Sequence, residues 1–163
     1  MNIDKARKFA IEKHGNQKYG DHPYVYHLDS VLSVLKEFGI DDNEILISAI
    51  LHDTLEDTDT TDQEISSFFG ESVLNIVRCV TNESGKNRKE RIKKTYEKIK
   101  NNYKATILKI ADRISNARES KKNSSKLFEM YLREYPDFRQ NLKQTVLDSK
   151  TKKMWDELDQ LFY

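Results

Sequence analysis

"DDNEILISAILHD", Asp41–Asp53, is the stretch on which the fold turns. Acidic residues open it, which suits a helix N-terminus, where unpartnered backbone N–H groups carry partial positive charge. A largely apolar body runs from Ile45 to Leu51. Ile45, Ser48, Ala49 and His52 fall at i, i+3, i+4 and i+7, so they share one helical face. That stripe is mostly small and apolar, which turns His52 inward. Beside it stands Asp53, and a buried carboxylate is costly unless it is paired or metal-bound. Glu56 and Asp57 follow four residues after His52 and Asp53, so a continuing helix keeps each pair on neighbouring faces. The stretch is either a helix end fraying into a solvated acidic loop or part of a metal-bound active site.

Outward from this stretch, helical periodicity runs almost throughout the 163 residues. The first helix is predicted over Ile3–His14, with Ala6, Phe9, Ala10 and His14 near one face. "GNQKYGDHPY" is a loop punctuated by Gly15, Gly20 and Pro23. A second helix covers His27 to Phe38 and stops at Gly39. Thr61-Asp62-Gln63-Glu64 fits a capping box and leads into a short helix ending at Gly70. Further helices are expected over Ser72–Thr81, Arg88–Asn101 and Lys104–Glu119, and two or three over residues 125–162, interrupted near Pro136. No strand is evident. The prediction is an all-α fold, one helical domain over residues 1–163.

Composition narrows the function classes. Five Gly and two Pro among 163 residues favour helices. Lys and Arg number 28 against 27 Asp and Glu, a net charge of +1, which argues against a protein that coats nucleic acid. A small anionic ligand held by a local basic cluster stays compatible with that balance. The single cysteine, Cys79, excludes an internal disulfide and a cysteine-based zinc cage; in "NIVRCV" it reads as a small core residue. The N-terminus is amphipathic and charged, without the apolar run of a signal peptide or membrane span, so the expected compartment is the cytoplasm.

Two further pieces complete a constellation. His27 stands in "HPYVYHLDSV" at the start of the second helix. Asp112, in "ATILKIADRISNARES", lies on the stripe of Leu108, Ala111 and Ser115 and again needs a partner. Two neutral imidazoles (His27, His52) and two carboxylates (Asp53, Asp112) sum to a charge of minus two. That matches a divalent cation, and mixed nitrogen and oxygen donors suit Mn²⁺, Fe²⁺ or Zn²⁺.

On these residues the sequence resembles the HD-domain metal-dependent phosphohydrolases, and within them the RelA/SpoT-type alarmone hydrolases, including the small single-domain forms similar to the metazoan SpoT homologue. The matching pieces are "HGNQKYGDHPYVYHL", "AILHDTLEDTDTT", "FGESVLNIVRCVT" and "LKIADRISNARE", spanning about Ala10 to Glu119. "MYLREYPDF", within the C-terminal helices (123–162), resembles the helix that follows. The resemblance implies an HD-domain helical bundle with His27, His52, Asp53 and Asp112 as metal ligands and Mn²⁺ as the usual metal. It implies that Glu56 and Asp57 position and activate the attacking water, and that Asn116 contacts the bound nucleotide. The reaction implied is hydrolysis of the 3′-pyrophosphate of (p)ppGpp to GDP or GTP and pyrophosphate, a step that lowers a stringent-response signal.

The loop before His27 departs from that family. Its usual form has a Gln followed by an Arg-Lys pair, whereas Gln17-Lys18-Tyr19-Gly20 here is one residue shorter and keeps only Lys18 as a base. Lys18 and Tyr19 are therefore candidate substrate contacts in altered form; Tyr19 either stacks on a purine or covers the core. Lys109 and Arg113, near Asp112, are further anion-binding candidates, with a surface ion pair as the alternative for Arg113. The run "KNRKERIKK", Lys86–Lys94, reads chiefly as a solvated face, with phosphate binding as its second reading; Tyr131 and Arg133 are weaker candidates. His14 is expected to make a structural hydrogen bond and His22 to face solvent. Trp155 packs against the bundle or against a second subunit of a homodimer.

Three functions remain in competition at this point. One is an alarmone hydrolase acting on a small nucleotide. Another keeps the metal chemistry but takes a different nucleotide (ppApp, a dNTP or a nucleoside monophosphate). The last is a binding module that senses an alarmone without cleaving it, and the intact Glu56 and Asp57 count against it.

Overall fold

The computed structural model describes residues 2–144 and 147–163; residues 145 and 146, inside the predicted C-terminal helical region, lie outside the described residues. The chain is a bundle of helices around one of them. α1 (Ile3–His14) occupies the predicted span, with the Asn2 side chain accepting from the Asp4 N–H at 2.7 Å. The following loop contains a small antiparallel pair, β1 (Lys18–Tyr19) and β2 (His22–Pro23), where the sequence pattern showed no strand. Two-residue strands are too short to display alternation, and Gly20, at φ +58°, lets the chain reverse between them. α2 (Val25–Glu37) begins two residues before His27. It ends in a Schellman motif: Ile40 N–H donates to the Leu35 carbonyl at 2.9 Å and Gly39 N–H to the Lys36 carbonyl at 3.0 Å, with Gly39 at φ +75°.

α3 (Asn43–Leu51) is the central helix. Asp42 caps it by accepting from the N–H groups of Glu44 and Ile45. Every residue from Ile45 to Leu51 is buried, and α3 packs against α1, α2, α6 (Glu71–Val80) and α8 (Tyr103–Lys122). The helix does not continue unbroken past His52. α3 stops at Leu51, and a separate single turn, α4 (Thr54–Asp57), carries Glu56 and Asp57. α5 (Asp62–Phe69) opens with the predicted Thr61–Glu64 capping box, both of its hydrogen bonds present.

α7 (Arg88–Ile99) precedes the long α8, which crosses α2, α3 and α6 on one side and α9 (Lys126–Leu142) and α10 (Ser149–Phe162) on the other. The expected interruption near Pro136 is absent: Pro136 sits inside α9. Its neighbours Tyr135 and Phe138 are buried while Pro136 is exposed, so packing holds the turn although proline cannot serve the Leu132 carbonyl. Trp155 is fully buried against Phe138, ring centres 5.6 Å apart, and so belongs to the bundle and offers no surface to a second subunit. Cys79 is only half-buried, beside Asn102, and not the core residue the local pattern implied. Among the described residues no helix is long and apolar enough to cross a membrane.

α10 is anchored by its own cap. Asp148 accepts from the N–H groups of Lys150 and Thr151 and from the Tyr103 hydroxyl on α8. Burial opposes the Asp148 charge, but these hydrogen bonds outweigh it and hold its pKa at about 2, below the ordinary 3.8. A depressed folded-state pKa adds stability above the ordinary value and loses it as pH falls through the folded value. Asp148→Ala is expected to lower unfolding stability by about 1 kcal/mol at neutral pH. The deficit should shrink as the pH drops from about 4 towards 2, measured by urea unfolding at each pH; a gap that persists in acid would show the cap not to be ionic.

Candidate active site

The break after Leu51 builds the site. A helix ending inside a core must find partners for its last carbonyls. Here side chains supply them: Thr54 Oγ1 donates to the Leu51 carbonyl at 2.7 Å and His52 Nδ1 donates to the Ala49 carbonyl at 2.8 Å. With Nδ1 donating, His52 Nε2 is the nitrogen left to take a cation or a second proton. It is buried, has no hydrogen bond, and faces Asp53 Oδ2 at 3.0 Å and Asp112 Oδ1 at 3.8 Å. From α2, His27 Nε2 faces the same two carboxylates at 3.6 and 3.4 Å. Thus four residues on α2, α8 and the end of α3 converge on one point.

Acceptors facing acceptors repel unless a proton or a cation lies between them. Burial opposes charge on His52, but the Asp53 and Asp112 carboxylates outweigh burial and raise its pKa to about 10. The same attraction holds Asp53 and Asp112 below the ordinary carboxylate range, against their own burial, and Lys109 adds to it at Asp112. The donor set fits a divalent metal: ligand atoms of His27, His52 and Asp53 all lie within 4.8 Å of one another. Donors each about 2.1 Å from a common ion stand roughly 3 to 4 Å apart. Lone pairs without partners, turned on carboxylates, are what such an ion satisfies.

A second layer steadies these groups. Tyr24 donates to Asp53 Oδ2 at 2.7 Å. Asn116, one turn after Asp112, donates to Asp112 Oδ1 at 2.6 Å and accepts from the Tyr19 hydroxyl at 2.7 Å. Tyr19 lies flat on His27, ring centres 4.6 Å apart and 11° from parallel, so its ring is committed to the fold on that face. Lys109 Nζ pairs with Asp112 Oδ2 at 2.9 Å.

A cavity of about 280 Å³ opens over this cluster. Glu56 and Asp57 line it, both exposed. Glu56 is held by Asn82, whose backbone N–H and side-chain amide donate to its two oxygens at 3.1 and 3.0 Å. Asp57 accepts from Gln17 Nε2 at 3.0 Å. Lys109 and Arg113 line the cavity as well. Arg113 is buried with its guanidinium on Tyr131, 4.7 Å from the ring centre, rather than at the surface. It and Arg88, which also lines the cavity, share the Glu134 carboxylate, at 3.2 and 2.7 Å.

Of the residues singled out from sequence, His27, His52, Asp53, Asp112, Glu56, Asp57, Tyr19, Asn116, Lys109 and Arg113 meet at this cavity. Lys18 does not: it is exposed and alternates with Tyr19 on β1, which places it on the opposite face. Arg133 is exposed and pairs with Glu129. His14 makes its hydrogen bond, to Gln17 at 2.8 Å, and His22 is exposed against Tyr26. The pattern missed Tyr24, Gln17, Asn82 and Glu134 as site residues. Arg88 was hidden in a basic run read chiefly as a solvated face; its ion pair with Glu134, from the first turn of α7, is what sets it apart.

The HD domain family model matches residues 6–137. The guanosine-3′,5′-bis(diphosphate) 3′-pyrophosphohydrolase MESH1 of Danio rerio is 40% identical over 116 residues, 68% of this chain and 64% of that protein. Its counterpart in Xenopus tropicalis is 40% identical over 125 residues, 74% of this chain and 70% of that one. A solved structure described as a metazoan orthologue of SpoT that hydrolyses ppGpp superposes with a TM-score of 0.81 at 26% identity, over 97% of this chain and 93% of that one. The structure of lmo0812 from Listeria monocytogenes shares the fold at a TM-score of 0.69 and 22% identity, over 86% of this chain and 98% of that one.

A divalent transition metal added to the purified chain is expected to raise its Tm, and a chelator to reverse the shift. Asp112→Asn should abolish the response. Tyr24→Phe, which removes only the hydroxyl on Asp53, should weaken metal affinity about 10- to 100-fold by calorimetry.

Proposed function

The chain belongs to the HD domain family, and from that premise we propose that it is a metal-dependent phosphohydrolase that removes the 3′-pyrophosphate of guanosine alarmones. (p)ppGpp and water give GDP or GTP and pyrophosphate. The observation that carries this reading is the convergence of His27, His52, Asp53 and Asp112 beneath a polar cavity lined by Glu56 and Asp57. The names of relatives at 40% identity support the substrate; the chain spans 64% of the first of them. The whole chain is taken as one catalytic unit, acting in the cytoplasm where nucleotides are made.

In this reading His27, His52, Asp53 and Asp112 hold Mn²⁺. Bound there, the ion supplies Lewis acidity and neutralises charge on the phosphoryl group. Glu56 and Asp57 accept the proton of the water that attacks the phosphorus next to the ribose 3′-oxygen; the P–O bond to that oxygen breaks, and the oxygen leaves with a proton as the ribose hydroxyl. Asn82 fixes both oxygens of Glu56, so its lone pairs keep a set direction. Lys109, Arg113 and Arg88 offer positive charge to the phosphates, and a phosphate reaching the arginines displaces Glu134. Asn116 enters as a support of Asp112 more than as a nucleotide contact, because both ends of its amide are already engaged.

A second reading keeps the chemistry and relaxes the base. Lys18 lies off the cavity and Tyr19 is stacked on His27, so neither candidate base contact is free to select guanine. Turnover of ppGpp, ppApp, dNTPs and 5′-monophosphates with Mn²⁺ discriminates the readings. Pyrophosphate release from ppGpp is the expected result, and hydrolysis confined to dNTPs or monophosphates would overturn the alarmone assignment. Glu56→Gln should lower kcat by about 10²- to 10⁴-fold while leaving metal affinity within a few-fold, since the Glu56 carboxylate is held by Asn82 and only its backbone N–H reaches the cluster, at the Asp53 carbonyl.

A further inference from the structure

One buried titratable group is not used by the proposed chemistry. His14, at the end of α1, is 6% exposed and its ring lies on Tyr24 at 4.4 Å between centres. Its Nδ1 meets Gln17 Oε1 at 2.8 Å, and Gln17 Nε2 meets Asp57 Oδ2 at 3.0 Å. The polarity of this chain follows from chemistry alone. An ionised carboxylate only accepts, so the Gln17 amide nitrogen must face Asp57. The amide oxygen then faces His14, so His14 Nδ1 must carry the proton. Nε2 is left as a buried acceptor without a donor, a more tolerable orphan than a buried N–H.

Asp57 is exposed and sits on a helix of one turn, so its own backbone does little to limit its rotamers. Gln17 lies in the loop after α1, and a free glutamine has three rotatable bonds to order. His14 removes that freedom: its ring is clamped in the core by Tyr24, and its N–H fixes the one amide orientation in which Gln17 can donate to Asp57. We propose that His14 and Gln17 form a positioning relay that sets the direction of the Asp57 carboxylate. The relay rests on the catalytic role given to Asp57 in the proposed function, but its geometry can be measured without turnover.

Two isosteric substitutions test it. Gln17→Met keeps the side-chain length and removes both hydrogen bonds; His14→Phe keeps the ring on Tyr24 and removes one. Each is expected to lower kcat for ppGpp about 10- to 100-fold, the range seen when a supporting hydrogen bond is removed from a metal site, with KM and Mn²⁺ affinity within about threefold of the parent. Because His14 acts only through Gln17, the double variant should be no worse than Gln17→Met alone. The metal-free readout is the ¹³C resonance of the Asp57 carboxyl, which should move on His14→Phe although the two residues do not touch. An unmoved resonance, or additive kinetic losses, overturns the relay. A moved resonance in a protein that hydrolyses no alarmone keeps the relay and discards the function.

Discussion

A helix that stops inside a protein core leaves carbonyl groups that water cannot reach. At the end of α3 this constraint is met by side chains, Thr54 serving Leu51 and His52 serving Ala49. The second of these bonds does more than cap. By engaging the Nδ1–H it leaves Nε2 as the nitrogen open to a cation or a second proton, and by tethering the ring it aims that nitrogen at Asp53 and Asp112. A continued helix would have satisfied the carbonyls with backbone N–H groups and left the imidazole free to choose its tautomer. The break therefore sets the shape of the site and which imidazole nitrogen of His52 faces it, and it lets α4 carry the acidic pair above the cluster.

Around that point the charges are balanced by partners, not by solvent. His27 and His52 meet two carboxylates, and Lys109 holds the outer oxygen of Asp112. Tyr24 and Asn116 donate to one oxygen each of Asp53 and Asp112. The oxygens that Tyr24 and Asn116 hold are the same ones that face the histidines, Oδ2 of Asp53 and Oδ1 of Asp112, so these donors fix the direction of the two acids at the cluster itself. The residues that do this come from α1's loop, α2 and α8, and the packing of these elements on α3 is what keeps the distances short.

Much of this was legible in the sequence, and for a physical reason. His52 and Asp112 declared themselves because a polar residue on a small apolar stripe must have a purpose, and a stripe is a local property. Resemblance supplied the pairing of residues sixty positions apart, which no local pattern contains. Where pattern failed, tertiary packing had the last word: Pro136 stays helical because Tyr135 and Phe138 are pinned on its buried side, and α3 breaks because side chains outcompete the next backbone donors. Gln17 was visible only as part of the loop pattern, without a role, and Asn82 and Glu134 left no trace. Their roles arise only when a loop or a distant helix folds back onto Asp57, Glu56 and Arg88.

Glu134 gives the cavity a further property. Its carboxylate lies between Arg88 and Arg113, its two oxygens taking hydrogen bonds at 2.7 to 3.2 Å. Both arginines thus have an anionic partner within the fold, with which an incoming anion competes. A single-point ion such as chloride offers no geometric match to two guanidinium forks, whereas a phosphoryl group presents several oxygens at once. The Glu134 carboxylate is thus the internal partner that an anion has to replace to reach both guanidinium groups together.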